Sequence, residues 1–449
     1  MKLDGLKKIY FVGIGGIGMS ALARYFNSLG IEVFGYDKVE TVLTKTLVAE
    51  GMKVHYEDDV TQIPTGIDLV VYTPAIPKTH QELSYFLEQN YPVKKRAEVL
   101  GIISKNRKTI GVAGTHGKTT TSAILTHILR SCGVDCTAFL GGIAANFDSN
   151  FVAGQSEWVV MEADEFDRSF LHLYPELAII TSMDADHLDI YGDQASMHQT
   201  FYDYVKQVQN TLYYKYDLPL ESNDNKEITL RSYGINKGSA KAVNVRAEAP
   251  YFVFDWQDEN QTIKDLKFTL PGNHNVLNVT AAIAIAKQLG CEEESIRAAL
   301  LSFKGIKRRF EFMIDTTEHV YIDDYAHHPE ELKAAIQAAK TLYPDRKITG
   351  VFQPHLFSRT KDFAIEFAAA LDELDVAILL DIYPARELPM EGVSSAIIFD
   401  KMKMKNKVLI KKEALLEELK TKDLEVLMTL GAGDIGALVP NIVKMFPKS

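Results

Sequence analysis

Residues 109–121 read TIGVAGTHGKTTT, and the reading of this run decides the fold. Thr109 to Ala113 is a short apolar strand pattern, Gly114, Thr115, His116 and Gly117 form a turn, and apolar residues then recur at helical spacing from Lys118 to about Arg130. Strand, glycine turn and helix in that order let a parallel α/β sheet present backbone N–H groups to a phosphate at a helix N-terminus. The loop amides from Gly114 to Gly117 would wrap the phosphates and the Lys118 ammonium would neutralise the outer ones. The Thr119 hydroxyl, with Thr120 beside it, would meet a magnesium ion. The strict P-loop pattern wants a glycine five places before Gly117, where this chain has Val112. A motor or GTPase loop is therefore a poor fit, but phosphate wrapping survives.

Downstream, VVMEADEFD sets Glu162, Asp164 and Glu165 at the end of the strand Trp158 to Met161. TSMDADHLD sets Asp184, Asp186, His187 and Asp189 at the end of the strand Leu177 to Thr181. Ligand sites in an open parallel sheet form at the carboxyl ends of strands, so both clusters should face the phosphate loop. Hard oxygen ligands suit Mg²⁺ (or Mn²⁺), but such an ion takes only one or two carboxylates, so most of these residues must support the site from behind.

Upstream, KIYFV (residues 8–12) runs into GIGGIGMS, where Gly13, Gly15 and Gly18 match G-x-G-x-x-G and Gly16 lies within the turn. A helix pattern from Ser20 to Leu29 follows. Asp37 ends a second strand, Glu32 to Tyr36, where an acid can reach a ribose, and Thr73 ends a third, Asp68 to Tyr72. This fingerprint marks a nucleotide-diphosphate site without naming the nucleotide, and taken alone it suggests NAD. Farther on, residues 228–270 alternate (AVNVRAE, YFVFDW) and read as a small antiparallel excursion before a helix from Asn275 to Leu289. A third α/β unit follows Arg308-Arg309-Phe310, with strands at Val320 to Ile322, Ile348 to Phe352, Asp375 to Leu380 and Val426 to Leu430, and a helix from Pro329 to Lys340. The expected domains are 1–106, 107–312 and 313–449.

Composition narrows the function classes. The chain has 449 residues, 46% hydrophobic and 24% charged, the mix of a globular protein with several ordinary cores. A formal net charge of −11 argues against a general nucleic-acid or anionic-membrane surface, while leaving room for a local basic pocket. Cys132, Cys136 and Cys291 are too few and too unevenly spaced for a disulfide framework. Met1-Lys2-Leu3-Asp4 leads straight towards a strand pattern without an apolar leader, and the expectation is a soluble cytoplasmic protein with no membrane insertion. His327-His328 before Pro329 reads as a strand-end site residue beside a helix-start residue, since no further Cys or His lies at zinc spacing. Arg359, soon after a strand, can fork onto a carboxylate.

With these segments in hand, the chain resembles the Mur ligases over its whole length. The resemblance rests on GTHGKTTT, EADE, ADHLD, PGNHNVLNVTAA, RRFE and DDYAHHPEE, and GIGGIGMSALA, QPHLFSRT and GAGDIG narrow it to the alanine-adding members. It implies a three-domain α/β architecture: a Rossmann-like domain for a UDP-sugar, a central P-loop-like ATPase domain with a parallel sheet plus a small antiparallel one, and a C-terminal Rossmann-like domain for the amino acid. The implied activity is ATP-dependent joining of L-alanine to the carboxylate of UDP-N-acetylmuramate in peptidoglycan precursor synthesis. Lys118 and Thr119 would bind ATP and metal, and Glu162 and His187 would hold metal at the γ-phosphate. His274 and Asn275 would lie by the adenine, with Arg309 and Asp324 fixing the nucleotide. Tyr325, His327 and Arg359 would surround the amino acid, with His327 as the candidate base. Two departures stand out: Leu356 replaces an arginine of some relatives, and no lysine between Gly192 and Val205 could carry the carbamate that several Mur ligases use. A peptide-adding recycling ligase of the same family remains an alternative, as does, from another class, an NAD-dependent oxidoreductase.

Overall fold

A computed structural model describes residues 3, 5–77, 79–184, 191, 193–220, 228–248, 251–385 and 387–446, which form three sheets. In the first, β1 (Lys8–Val12), β2 (Glu32–Tyr36), β3 (Lys53–His55), β4 (Leu69–Tyr72) and β5 (Val93–Lys95) lie in the order β3-β2-β1-β4-β5. β1 is central, and four of its five residues are buried, as a parallel strand covered on both faces requires. Its last residue, Val12, stands opposite Tyr36 and Tyr72, so three strands end at one level. Helix α1 spans Ile17–Ser28. It begins three residues before the expected Ser20, because Gly16, in extended backbone, already serves as its N-cap.

The second sheet contains β6 (Lys108–Ala113), β7 (Thr137–Ala144), β8 (Ser149–Val152), β9 (Trp158–Ala163), β10 (Leu177–Ile180), β11 (Thr211–Lys215), β12 (Thr229–Ile235), β13 (Ala240–Glu248), β14 (Tyr251–Gln257) and β15 (Thr262–Phe268). Their order is β15-β14-β13-β12-β11-β10-β6-β9-β7-β8. The alternating stretch 228–270 thus supplies four strands that extend the central sheet at one end, and β12 runs parallel to both β11 and β13. Ala113 of β6 stands opposite Ala163 of β9 and Ile180 of β10, so these strands also finish level. The third sheet holds β16 (Glu311–Asp315), β17 (Val320–Asp324), β18 (Ile348–Phe352), β19 (Val376–Leu379), β20 (Lys407–Leu409) and β21 (Val426–Leu430), ordered β16-β17-β21-β18-β19-β20. There, Asp324 and Phe352 both stand opposite Leu430.

The chain divides into two compact units: residues 1–243, 255–266 and 277–304 in one, and 244–254, 267–276 and 305–449 in the other. The expected boundary at 106 therefore falls inside the larger unit. One apolar core explains this, running from Ile9, Phe11 and Phe26 to Phe139, Phe151 and Val159 and joining the first sheet's helical side to the central sheet. Tyr25 wedges between them, its ring 5.4 Å from that of Phe139 and 6.1 Å from that of Phe151. In the smaller unit, separate cores built around Ile322 and Phe352 and around Tyr321 and Val351 cover the two faces of the sheet. All three cysteines are free thiols, with Cys136 and Cys291 buried. Among the described residues no helix is long and apolar enough to cross a membrane.

The other face of the first sheet buries a carboxyl group. Glu82 is fully buried, accepts from the Tyr10 hydroxyl at 2.6 Å and from the Asp59 amide at 3.2 Å, and its carboxyl is pushed up to about 7, chiefly by burial. Since it protonates more readily in the folded chain, its stabilising contribution is whole below about pH 4.5 and is lost as pH rises through about 7. Between those pH values the wild-type unfolding free energy should decline more than that of Glu82→Gln, by up to about 3 kcal/mol. Urea titrations at matched pH measure this, and equal declines would contradict it.

Candidate functional site

At the end of β6 the chain makes the turn that the central motif requires. Gly117 adopts the left-handed backbone (φ 81°), and helix α2 (Lys118–Ser131) starts directly after it. Ser182, just beyond β10, pins the loop: its hydroxyl accepts from the His116 amide at 2.8 Å and lies 2.8 Å from the Thr115 hydroxyl, which in turn accepts from the Asp184 amide at 3.0 Å. Lys118 folds back over the loop, its ammonium donating to the Gly114 and Thr115 carbonyls at 2.6 and 3.2 Å and to Glu165 Oε1 at 3.0 Å. Its side chain is 13% exposed and that of Glu165 is 2%. Burial works against this ammonium's charge, but the charges of Glu165, Asp164 and Glu162 outweigh it and hold its pKa above the ordinary lysine value. Burial pushes the Glu165 carboxyl up to about 7, against the pull of Lys118.

Glu162 is held in place from two sides. Its Oε1 accepts from the Thr119 hydroxyl at 3.1 Å and its Oε2 from the Gly141 amide of β7 at 2.8 Å. Any side chain at Gly141 would overlap that carboxylate. Burial raises its pKa, with Lys118 opposing. A half-buried carboxylate beside a threonine hydroxyl is a hard-oxygen donor pair of the kind Mg²⁺ takes, and a cation there would relieve the cost of desolvating the charge. His187, Asp186 and Asp189 lie outside the described residues.

Around the first turn, Asp37 Oδ2 accepts from the Gly15 amide at 2.7 Å, and Gly13 lies against the Thr73 methyl group. Gly13, Asp37 and Thr73 each follow a strand that ends level with its neighbours, so the structure brings them to one edge of the sheet. Asp37 spends one oxygen on the turn itself, a use the sequence alone does not reveal.

In the smaller unit, the connections after β17, β18 and β21 leave one edge of the sheet. Both Asp324 oxygens accept backbone amides, from Phe310 and Ala326, each at 2.7 Å. Burial pushes its carboxyl up to about 6, opposed by Arg309. Arg308 and Arg309 each lie over the Tyr325 ring, 5.1 and 5.4 Å from its centre. His327 Nδ1 is 3.1 Å from the Tyr325 carbonyl and 3.2 Å from Glu331 Oε2. Both neighbours are acceptors, so the proton is assigned to Nδ1 and the lone pair to Nε2. Arg309 Nη1 is 3.7 Å from Glu331 Oε1, and Arg359 is buried in the helix Phe357–Asp362. Gln353, of QPHLFSRT, donates to Asp434 Oδ1 at 2.8 Å and accepts from the Ile435 amide at 2.9 Å, binding that motif to GAGDIG. Leu356 holds φ 69°, a left-handed conformation unusual for a branched side chain, at the turn before Arg359. His274 is partly buried with its pKa pushed down to about 4 by burial, and Asn275 donates to the Pro271 carbonyl at 2.7 Å.

Three family profiles match the chain in order: Mur ligase family, catalytic domain, over residues 8–108; Mur ligase middle domain over 112–286; and Mur ligase, glutamate ligase domain, over 308–435. A UDP-N-acetylmuramate–L-alanine ligase of Flavobacterium psychrophilum is 53% identical, with 99% of each chain covered. That of Flavobacterium johnsoniae is 51% identical, again over 99% of each. Among solved structures, a UDP-N-acetylmuramate-alanine ligase from Thermotoga maritima superposes with a TM-score of 0.84 at 30% identity, covering 98% of both chains. A murein peptide ligase from Psychrobacter arcticus shares the fold, with a TM-score of 0.73 at 22% identity over 99% of this chain and 100% of that one.

The loop geometry can be tested without any ligand. Ser182→Ala leaves the half-buried His116 amide without the Ser182 acceptor, so that amide should exchange its hydrogen on the order of tenfold faster, the size of one lost hydrogen bond. Amides of β10 should keep their protection in the same hydrogen-exchange mass spectra. Unchanged exchange at His116 would show that Ser182 does not pin the loop.

Proposed function

Because the chain belongs to the Mur ligase family, we propose that it joins L-alanine to the carboxylate of UDP-N-acetylmuramate at the expense of ATP, as the names of its relatives state for them. The observation that carries this reading is the buried Lys118 ammonium over the glycine loop, with Glu162 and Glu165 beside it. It equips the chain for phosphoryl transfer, whereas an oxidoreductase would have no use for that loop. Residues 1–106 are assigned to the UDP-sugar, 107–312 to ATP and 313–449 to the amino acid. Peptidoglycan precursor synthesis is the setting that the substrates imply.

A carboxylate is a poor acyl donor because its leaving group would be oxide. Moving the γ-phosphoryl group onto it gives an acyl phosphate, from which an amine expels phosphate and forms the amide. Lys118 and the amides of Gly114 to Gly117 serve this step by meeting the charge that spreads over the transferring phosphoryl oxygens. To reach them, Lys118 trades its bonds to the Gly114 and Thr115 carbonyls for bonds to phosphate, while Glu165 keeps the ammonium aimed. Glu162 and Thr119 would hold a magnesium ion, which supplies further neutralisation of phosphate charge when bound. Thr120 follows Thr119 on the same helix turn. His274, Asn275 and Arg309 are assigned to the nucleotide. Asp324 acts there by shaping the backbone at Phe310, beside Arg309.

The attacking amine must be neutral. His327, with Nδ1 committed to the Tyr325 carbonyl and Glu331, offers Nε2 as the base. Arg359 is assigned to the amino-acid carboxylate and Tyr325 to the wall of the pocket. The level strand ends of the third sheet support grouping these residues.

A phosphate-release assay tests the reading. Phosphate should appear only when ATP, UDP-N-acetylmuramate and L-alanine are all present with Mg²⁺ or Mn²⁺; release with tripeptide but not alanine would favour the recycling ligase. Lys118→Ala should cut turnover on the order of a thousandfold, the effect of several kcal/mol of lost charge stabilisation. Near-normal turnover by that variant, folded, would overturn the loop's role. Arg359→Lys keeps the charge but loses the planar fork, so the KM for alanine should rise about tenfold with little change for ATP. An equal rise for both would remove Arg359 from the pocket.

A further inference from the structure

One side chain spans the space between the first glycine turn and the acids at the end of β9. Arg96 opens the helix Arg96–Lys105 directly after β5. Its guanidinium lies so close over Gly18, in the first turn of α1, that any Cβ at Gly18 would overlap Nη1. From the same group, Nη2 donates to Asp164 Oδ2 at 3.1 Å. Asp164 sits in the chain between Glu162, which faces Thr119, and Glu165, which holds Lys118. The third glycine of the G-x-G-x-x-G pattern therefore has a physical reason here: it leaves room for an arginine.

This bridge is built on a rigid base. Asn150 of β8 is fully buried and donates to the Ile17 carbonyl at 2.5 Å and the Ser20 hydroxyl at 2.9 Å, while the buried Arg24 donates to its side-chain oxygen. The start of α1 is thus fastened to the central sheet, which holds Gly18 at a set place relative to that sheet. The guanidinium is 21% exposed and has five N–H donors in a fixed plane, of which Asp164 takes one. Those that remain stand at the glycine turn, where an anion can be held in a two-pronged grip.

We propose that Arg96 is a binding and positioning residue for the diphosphate of the nucleotide sugar: it grips the diphosphate over Gly18 and, through Asp164, fixes that substrate relative to the Lys118 loop. This rests on the reading of the first turn as the UDP-sugar seat. In the substrate complex the guanidinium would be shared between two anions, Asp164 on the protein and the diphosphate, so its plane is set before the substrate arrives. A lysine could not serve both at once, because it presents a point charge.

Calorimetric titration with UDP-N-acetylmuramate, and separately with UDP, tests this in the absence of ATP. Arg96→Gln should weaken both ligands at least tenfold, and Arg96→Lys should weaken them less, with binding that is steeper in salt. In steady-state assays of Arg96→Lys, the KM for the sugar nucleotide should rise while that for ATP stays within twofold. Asp164→Asn separates gripping from structural support, because it breaks the ion pair but keeps the guanidinium. Its affinity for UDP should stay within about threefold of wild type. Equal losses in Asp164→Asn and Arg96→Gln would overturn the proposal and make the pair structural, as would unchanged UDP affinity in a folded Arg96→Lys or Arg96→Gln. A wild-type chain that binds neither ligand would instead refute the UDP-sugar reading itself.

Discussion

A buried ammonium must have company, and Lys118 shows how much of the centre follows from that need. Left unpaired at its depth, the ammonium would have its charge disfavoured. Glu165 answers the charge directly, Asp164 and Glu162 add to the field, and two loop carbonyls accept further hydrogen bonds from the ammonium. Glu165 and Glu162 are in turn buried more than free carboxylates tolerate, and their raised pKa values record the cost. Neither sign is comfortable without the other. In the proposed function, a ligand that brings both phosphate charge and a cation would replace this internal pairing charge for charge.

The same economy of placement recurs in all three sheets. Neighbouring parallel strands end in register, at Val12, Tyr36 and Tyr72, at Ala113, Ala163 and Ile180, and at Asp324, Leu430 and Phe352. Level ends put residues distant in sequence within reach of one another, as Thr115 and Ser182 or Lys118 and Glu165 demonstrate. In the larger unit, a shared core and the Asn150 contacts hold two such edges in one body, which lets a single arginine span them.

Much of this was legible in the sequence, because the relevant signals are local. A strand that runs into glycines and then a helical pattern allows few backbone paths, so both turns and most strands of the three sheets could be placed. The residues that were missed depend on which side chains meet across the sheet. Nothing in TSMDADHLD marks Ser182 as the loop's anchor, since a serine is as common at a strand end as anywhere. EADE announces acids but not that Glu165, not Asp164, takes Lys118. Arg96 lies in an unremarked KKRAE run and acquires meaning only when Gly18 is found beneath it. Likewise, the alternation over 228–270 identified strands but could not tell that they continue the central sheet, because period two describes one face and says nothing about the neighbouring strand. Leu356 was conspicuous only as a departure from a resemblance, and its left-handed backbone was beyond sequence reasoning.

The central claim is that the phosphate loop activates a carboxylate by giving it a phosphoryl group. UDP-N-acetylmuramate labelled with ¹⁸O in both oxygens of its lactyl carboxylate, turned over with ATP and L-alanine, puts this to a direct test. If an acyl phosphate forms, the amine expels phosphate carrying one carboxylate oxygen, and mass spectrometry of the released phosphate should find one ¹⁸O per turnover. Amide product accompanied by unlabelled phosphate would mean that the carboxylate was activated by some other route, and would contradict the account.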